Sequence, residues 1–174
     1  MPLASYRLAR MLDENRAAAR SDGNAFERYL AAATAGVAEA QAELDKAESQ
    51  FRFAMLLEPA AAIPWLRKAA AQNLVRAQLS LAIALEEGRG TARNPAEALA
   101  WYLKAATANN PEAHFRLGNL YDQGTGTPAD PVKARDHYAR AVDLGHAGAE
   151  ERMARLLGLG TTAPDFGNPF KGLR

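Results

Sequence analysis

The chain has 174 residues, of which 48% are hydrophobic, and this is enough to form a sizeable core. Twenty-one Lys and Arg residues against 20 Asp and Glu give a formal net charge of +1, which offers no strong field for nucleic acid or an anionic membrane. The chain has no cysteine, which excludes disulfides and thiol chemistry, and no apolar run long enough to span a membrane. We therefore expect neither nucleic-acid binding nor membrane insertion.

An N-terminal helical segment is predicted over residues 1–58. Residues 3–20 are predicted to form an amphipathic helix, and this stretch lacks the uninterrupted apolar core of a secretory signal. This indicates a cytoplasmic protein, or a periplasmic one if a signal was removed from the chain.

Residues 24–57 predict one long helix, or two helices if Thr34-Ala35-Gly36 breaks it. Apolar residues recur there at alternating spacings of four and three, which is a heptad seam. The seam consists of Phe26, Leu30, Ala33, Val37, Ala40, Leu44, Ala47, Phe51 and Ala54. It could pack on residues 3–20, on the rest of the chain, or on a second copy to form a homodimer, and packing within one chain is the default.

A 36-residue period organises the rest of the chain. Trp101-Tyr102 lies 36 residues before His137-Tyr138, and Asn94-Pro95 lies 36 residues before Asp130-Pro131. At the same offset Gly88 and Gly90 match Gly124 and Gly126, and Ala77, Ala98 and Ala105 match Ala113, Ala134 and Ala141. A fixed period of this length indicates a protein of stacked repeats.

Each repeat reads as two short helices joined by a glycine turn. Glycine adopts positive φ at a helix C-terminus without steric cost, so Gly124 is expected to end the first helix of its unit. Asp130 can accept hydrogen bonds from free N–H groups, and Pro131 suits the first helical position. We predict helix pairs at 77–88/95–108 and 113–123/131–144.

The repeats are predicted to span residues 59–158. A degenerate repeat extends to residue 74, two good repeats cover 75–110 and 111–146, and a lone helix at 147–158 caps the last apolar face. Residues 159–174 are predicted to be an irregular tail.

These residues carry a family resemblance. The matching positions are Ala113, Leu117, Gly118, Tyr121, Gly124, Gly126, Asp130, Lys133, Ala134, Tyr138 and Ala141. The pattern resembles the Sel-1-like repeat, a relative of the tetratricopeptide repeat, and implies an all-α, right-handed α-solenoid that acts as an adaptor or scaffold. In the preceding repeat Ala82 replaces the glycine and Leu85 the tyrosine, so its helix packing is expected to differ. Some relatives are cysteine-rich and linked to penicillin binding, and a chain without cysteine departs from them.

No residue pattern predicts chemistry. None of the three histidines has a partner at metal-ligand spacing on its own helix, and the packing position that His137 shares with Trp101 explains it. The glycine turns follow no strand and precede no Gly-Lys-Ser/Thr, so they are not phosphate cradles. We expect no catalytic residue, no metal site and no cofactor.

The remaining candidate is a surface for another protein. In a helix-pair solenoid the first helix of each unit lines a concave groove. Its off-core positions predict a partner site made of Arg76, Leu79, Ile83, Glu86, Glu112, Phe115, Asn119, Asp122, Glu151 and Arg155. The N-terminal helices or the tail could instead fill this groove.

Two classes of function therefore stay open. The leading one is a non-enzymatic interaction module: an adaptor, a scaffold, a secretion chaperone or an immunity-type protein. The alternative, implied only by relatives, is a protein that binds or processes a ligand or a cell-wall fragment. A buried polar pocket with paired carboxylates would favour that alternative.

Overall fold

The computed structural model describes residues 22–159, with side chains from residue 27 onward, and all regular structure in this range is helical. The predicted helix at 3–20 and the tail beyond residue 159 lie outside the described residues. The helices are α1 (Asp22–Thr34), α2 (Ala38–Leu44), α3 (Ala47–Ala54), α4 (Pro59–Ala71), α5 (Val75–Glu87), α6 (Pro95–Thr107), α7 (Pro111–Gln123), α8 (Pro131–Asp143) and α9 (Ala149–Leu156). The all-α class with consecutive helical repeats is confirmed.

The chain forms two compact units, and each is described by itself. The first ends at Ala105 and the second begins at Ala106. Helices adjacent in sequence pack together within each unit, with α3 on α4 and α4 on α5 in the first, and α7 on α8 and α8 on α9 in the second. The predicted helix pairs are present, and their bounds differ from the prediction by no more than two residues at any end.

The segment expected to be one long or broken helix is three helices. Gly36 has a φ of 84°, and the N–H of Val37 bonds the carbonyl of Ala32, which closes the end of α1. A second interruption separates Leu44 from Ala47. A continuous helix is therefore wrong, and the break at Gly36 is the alternative that the glycine itself indicated.

The first unit has an aromatic core. Tyr29 and Phe53 lie with ring centroids 6.2 Å apart, and Phe53 meets Trp65 of α4 edge-on at 6.1 Å. Leu30, a predicted seam residue, is 40% exposed, whereas its neighbour Tyr29 is buried. The predicted seam fails here because a heptad register is maintained only through unbroken helix, and Gly36 interrupts it.

The turn between α5 and α6 packs directly on the start of α4. Gly88 ends α5 with a φ of 76°, and the N–H of Asn94 bonds the carbonyl of Leu85. Gly90 also has positive φ, at 72°, and a Cβ there would lie 2.2 Å from the carbonyl carbon of Pro59. Only glycine fits both the conformation and the space.

In the second unit, small residues let α7 and α8 approach closely. A Cβ on Gly118 would lie 2.5 Å from two ring carbons of Tyr138, which is completely buried. The second helix begins as the sequence predicts, because Asp130 accepts from the N–H of Lys133 at 3.0 Å. Asn110, for which no such role was predicted, begins α7 in the same way and accepts from the N–H of Ala113 at 2.9 Å. Gly124 ends α7 with a φ of 67°, so the predicted stop is confirmed.

Gly90→Ala tests the close turn on α4. We expect this variant to be less stable than Gly145→Ala by about 1–3 kcal/mol in urea unfolding, because the new methyl group meets backbone that cannot rotate away. Gly145 is the matched control, since its φ of 80° carries the same conformational strain while nothing lies within 4 Å of an added Cβ. Equal stability of the two variants would show that the contact with Pro59 is loose.

Candidate functional site

In the first unit, the predicted surface residues lie on α5, and one of them is already engaged. Arg76 forms an ion pair with Glu48 of α3, and its guanidinium lies 4.9 Å from the centroid of the Phe51 ring. Both charged side chains are about half exposed, so the pair contributes little to stability. Arg76 therefore contacts the N-terminal helices and does not face an empty groove.

Ile83 lines an open apolar cleft of about 290 Å³. Leu57, Ile63 and Leu66 supply further apolar walls from the start and middle of α4 and the residues before it. Met55, which is 53% exposed, also lines the cleft, and Arg89 is its one charged residue. Leu79, one turn before Ile83 on α5, is half-buried.

Two buried tyrosines present their hydroxyl groups to predicted site residues. In the first unit Tyr102 donates to Glu86 at 2.6 Å, and in the second Tyr138 donates to Asn119 at 2.8 Å. Burial, together with the nearby carboxylate of Asp122, raises the pKa of Tyr138 to about 12. Glu86 and Asn119 therefore hold the polar ends of core side chains.

Phe115 is half-buried, and it packs on its own unit. Its ring stacks on His146 in the turn between α8 and α9, with centroids 4.2 Å apart and planes 16° apart. The Tyr138 ring lies 6.1 Å away on the other side. The expectation that Phe115 lies outside the packing between helices is therefore wrong, because the turn after α8 folds back over α7.

Glu112 holds the same turn by its charge. Its carboxylate accepts from Arg116 at 2.7 Å and from Nε2 of His146 at 2.9 Å. Burial alone would raise the pKa of Glu112, but the hydrogen bonds from Arg116 and His146 outweigh burial and lower this pKa. With Nε2 used in this way, Nδ1 of His146 is buried without a hydrogen-bond partner.

The remaining predicted residues of the second unit are on its outside. Asp122 at the end of α7 is exposed, and so are Glu151 and Arg155 on α9. Between residues 27 and 159 no aspartate or glutamate side chain is buried. The paired carboxylates in a polar pocket that would support ligand processing are thus not found in this part of the chain.

The structure also brings together two histidines that the sequence treats as unrelated. Nδ1 of His114 on α7 lies 3.1 Å from Nδ1 of His137 on α8. The two positions differ by 23 and lie on either side of a turn, so no spacing rule for a single helix could find this pair. No group of three or more His, Cys, Asp or Glu side chains that could hold a metal ion occurs among the residues that the structure describes.

Consecutive pairs of similar helices, ended by the same glycines and 36 residues apart, define a helical-repeat protein. The sequence model of the Sel1 repeat matches residues 58–74, 75–110 and 111–146. The chain belongs to the Sel1 repeat family, so the predicted resemblance is confirmed. Sel1 repeats generally mediate protein–protein interactions, and proteins built from them are generally non-catalytic scaffolds.

Solved structures agree with this family. The chain is similar to a Sel1 repeat protein from Oxalobacter formigenes, with 30% identity, a TM-score of 0.68, and coverage of 88% of this chain and 63% of that one. It is also similar to c5321, a protective antigen of uropathogenic Escherichia coli with an SLR fold, with 24% identity, a TM-score of 0.63, and coverage of 93% and 42%. The second likeness concerns the fold alone. This chain thus spans less than two thirds of the length of either protein.

No significantly similar sequence was found among curated proteins. None of the helices between residues 22 and 159 combines the length and the apolar character needed to cross a bilayer.

Phe115→Ala tests whether this ring supports the fold. We expect a loss of about 2 kcal/mol in the free energy of unfolding, roughly half the cost of removing a fully buried phenylalanine, because the stack on His146 is lost. Val132→Ala is the control, since Val132 is an apolar residue of α8 that is 58% exposed. If urea unfolding midpoints of both variants match that of the unchanged protein, the Phe115 ring is a surface group.

Proposed function

We propose that this chain is a non-catalytic interaction module, such as an adaptor, scaffold, secretion chaperone or immunity-type protein, which binds an apolar segment of another protein in the cleft beside Ile83. The observation that carries this proposal is the cleft itself: an open apolar recess in a family whose repeats generally bind proteins. Apolar recesses with exposed large side chains at the edge are typical of partner sites.

The edge of the cleft supports a protein ligand. Met55, a large apolar side chain that lines the recess, is 53% exposed. Methionine is flexible and polarisable, so it adapts to different side chains of a partner. Arg89 adds one cation and is itself paired with Glu87 at 2.6 Å, so apolar contact is expected to dominate binding.

The α7 face is the weaker candidate for the same role. Glu112, Phe115 and Asn119 each make contacts within the second unit, so binding a partner there would have to compete with those contacts. Side chains around the Ile83 cleft have no comparable cost, because the recess is open already. For this reason the site that we propose is only partly the one that the sequence indicated: it keeps Ile83 and adds Met55.

A photo-crosslinking amino acid at Met55 tests the site in the cell of origin. We expect it to capture one main partner, identified by mass spectrometry, while the same amino acid at Val132 does not. With the purified partner, Met55→Ser should weaken binding by at least about tenfold, since the exchange removes an apolar contact that the partner would bury. Val132→Ser, which also replaces an exposed apolar side chain by serine, should change the dissociation constant by less than about twofold.

Met55 is exposed, so its exchange for serine is not expected to unfold the protein, and circular dichroism at 25 °C checks this. Unchanged affinity of the Met55→Ser variant for the captured partner would contradict a site at this cleft.

Homodimerisation through the N-terminal helices stays a prediction. The core residues Tyr29, Leu44 and Phe53 are buried within one chain. A second copy would therefore have to bind to other helix faces, and Leu30 is an exposed apolar residue on one of them. Sedimentation equilibrium of the purified chain and of Leu30→Glu distinguishes a dimer of this kind from a monomer.

A further inference from the structure

Two imidazole rings meet inside the α7–α8 helix pair. His114 and His137 are both partly buried, and their Nδ1 atoms lie 3.1 Å apart. His137 also stacks on the Tyr121 ring, with centroids 5.6 Å apart and planes within 3° of parallel. The two rings thus belong to the contact between the helices and are not merely surface groups.

The hydrogen bond between the two Nδ1 atoms needs at least one neutral ring, because one of the nitrogens must accept. The backbone of Ala106 acts on the His114 ring as a hydrogen-bond acceptor and raises its pKa, which engages the one N–H of the neutral ring. We therefore assign the donor in the pair to Nδ1 of His137 and the acceptor to Nδ1 of His114. If both rings were protonated, two N–H groups would face each other across 3.1 Å.

The charges around the pair oppose protonation. Burial, followed by the nearby Arg140 guanidinium of α8, lowers the pKa of His114 despite the Ala106 carbonyl. Burial, followed by the proximity of His114, lowers the pKa of His137, and Asp136 on the same helix only partly offsets this.

We propose that the α7–α8 helix pair is an acid-sensitive element, in which protonation of the facing His114 and His137 rings loosens the packing of the two helices below about pH 6.5. A group whose pKa is lowered by folding binds protons more readily in the unfolded chain. Stability is therefore greatest above the ordinary histidine pKa, falls as the pH drops below it, and levels off below the folded-state pKa values.

The preceding repeat provides an internal comparison. At the positions 36 residues before His114 and His137 it has Gln78 and Trp101, and neither of these side chains titrates. Gln78 is buried and donates to the carbonyl of Ala70, while the indole N–H of Trp101 donates to Glu97. The equivalent positions of the preceding repeat therefore hold two uncharged side chains, and both can be transplanted into the second unit.

The decisive experiment compares the unchanged protein with the double variant His114→Gln/His137→Trp. Urea unfolding of both is followed at pH 7.5 and pH 5.5. We expect acidification to raise the equilibrium constant for unfolding of the unchanged protein. The increase is up to about tenfold for each histidine whose pKa is one unit lower in the folded than in the unfolded chain. In the double variant the same acidification should raise it several-fold less. Equal pH dependence of the two proteins would overturn the proposal.

A second measurement covers the case in which the double variant does not fold. Proton NMR of the unchanged protein follows the ring signals of the three histidines between pH 8 and pH 4.5. Two of them, assigned by single exchanges, should titrate below pH 6.5, and titration of His114 and His137 at or above that value would overturn the proposal. Both measurements use the isolated protein, so their outcome does not depend on partner binding.

Discussion

The fold depends on the fit of a tyrosine ring against a residue with little or no side chain on the facing helix. In the second unit a Cβ on Gly118 would lie only 2.5 Å from the ring of Tyr138, so the helices can adopt this separation only with glycine there. In the first unit, Ala82 and Tyr102 occupy the equivalent positions, and both are fully buried. Because interiors are close-packed, one large and one small residue together set the distance between two helices. The 36-residue period repeats this fit.

Properties beyond the fold arise where the repeats differ. The tyrosine hydroxyl bonds a carboxylate, Glu86, in one repeat and an amide, Asn119, in the next. One repeat has Trp101 where the other has His137, and only the histidine can gain a proton near neutral pH. A common scaffold thus has a side chain that does not titrate at this position of one helix pair and a histidine at the same position of the other.

The proposed interaction site follows from how the N-terminal helices join the repeats. Arg76 is held by Glu48 and Phe51 of α3, whereas Ile83, two turns further along α5, borders an open recess with Met55. The N-terminal segment therefore covers part of the face that the sequence predicted as a groove and leaves another part accessible. In the second unit the turn that contains His146 covers Phe115 in a comparable way. What stays open is apolar and concave, which suits a side chain of another protein.

The sequence by itself determined the repeats and their limits. The helix start at Asp130 and the stop at Gly124 depend on residues within one turn, so local chemistry decides them. The phase of α1 and the pairing of His114 with His137 were decided by tertiary structure. So was the cleft, which joins Met55 to Ile83. Each of these depends on which faces of separate helices meet, because every turn or break changes the orientation of the next helix about its own axis. The sequence period shows which residue types recur at a given position of the repeat. Only the packed chain determines which residues of the facing helix such a residue contacts.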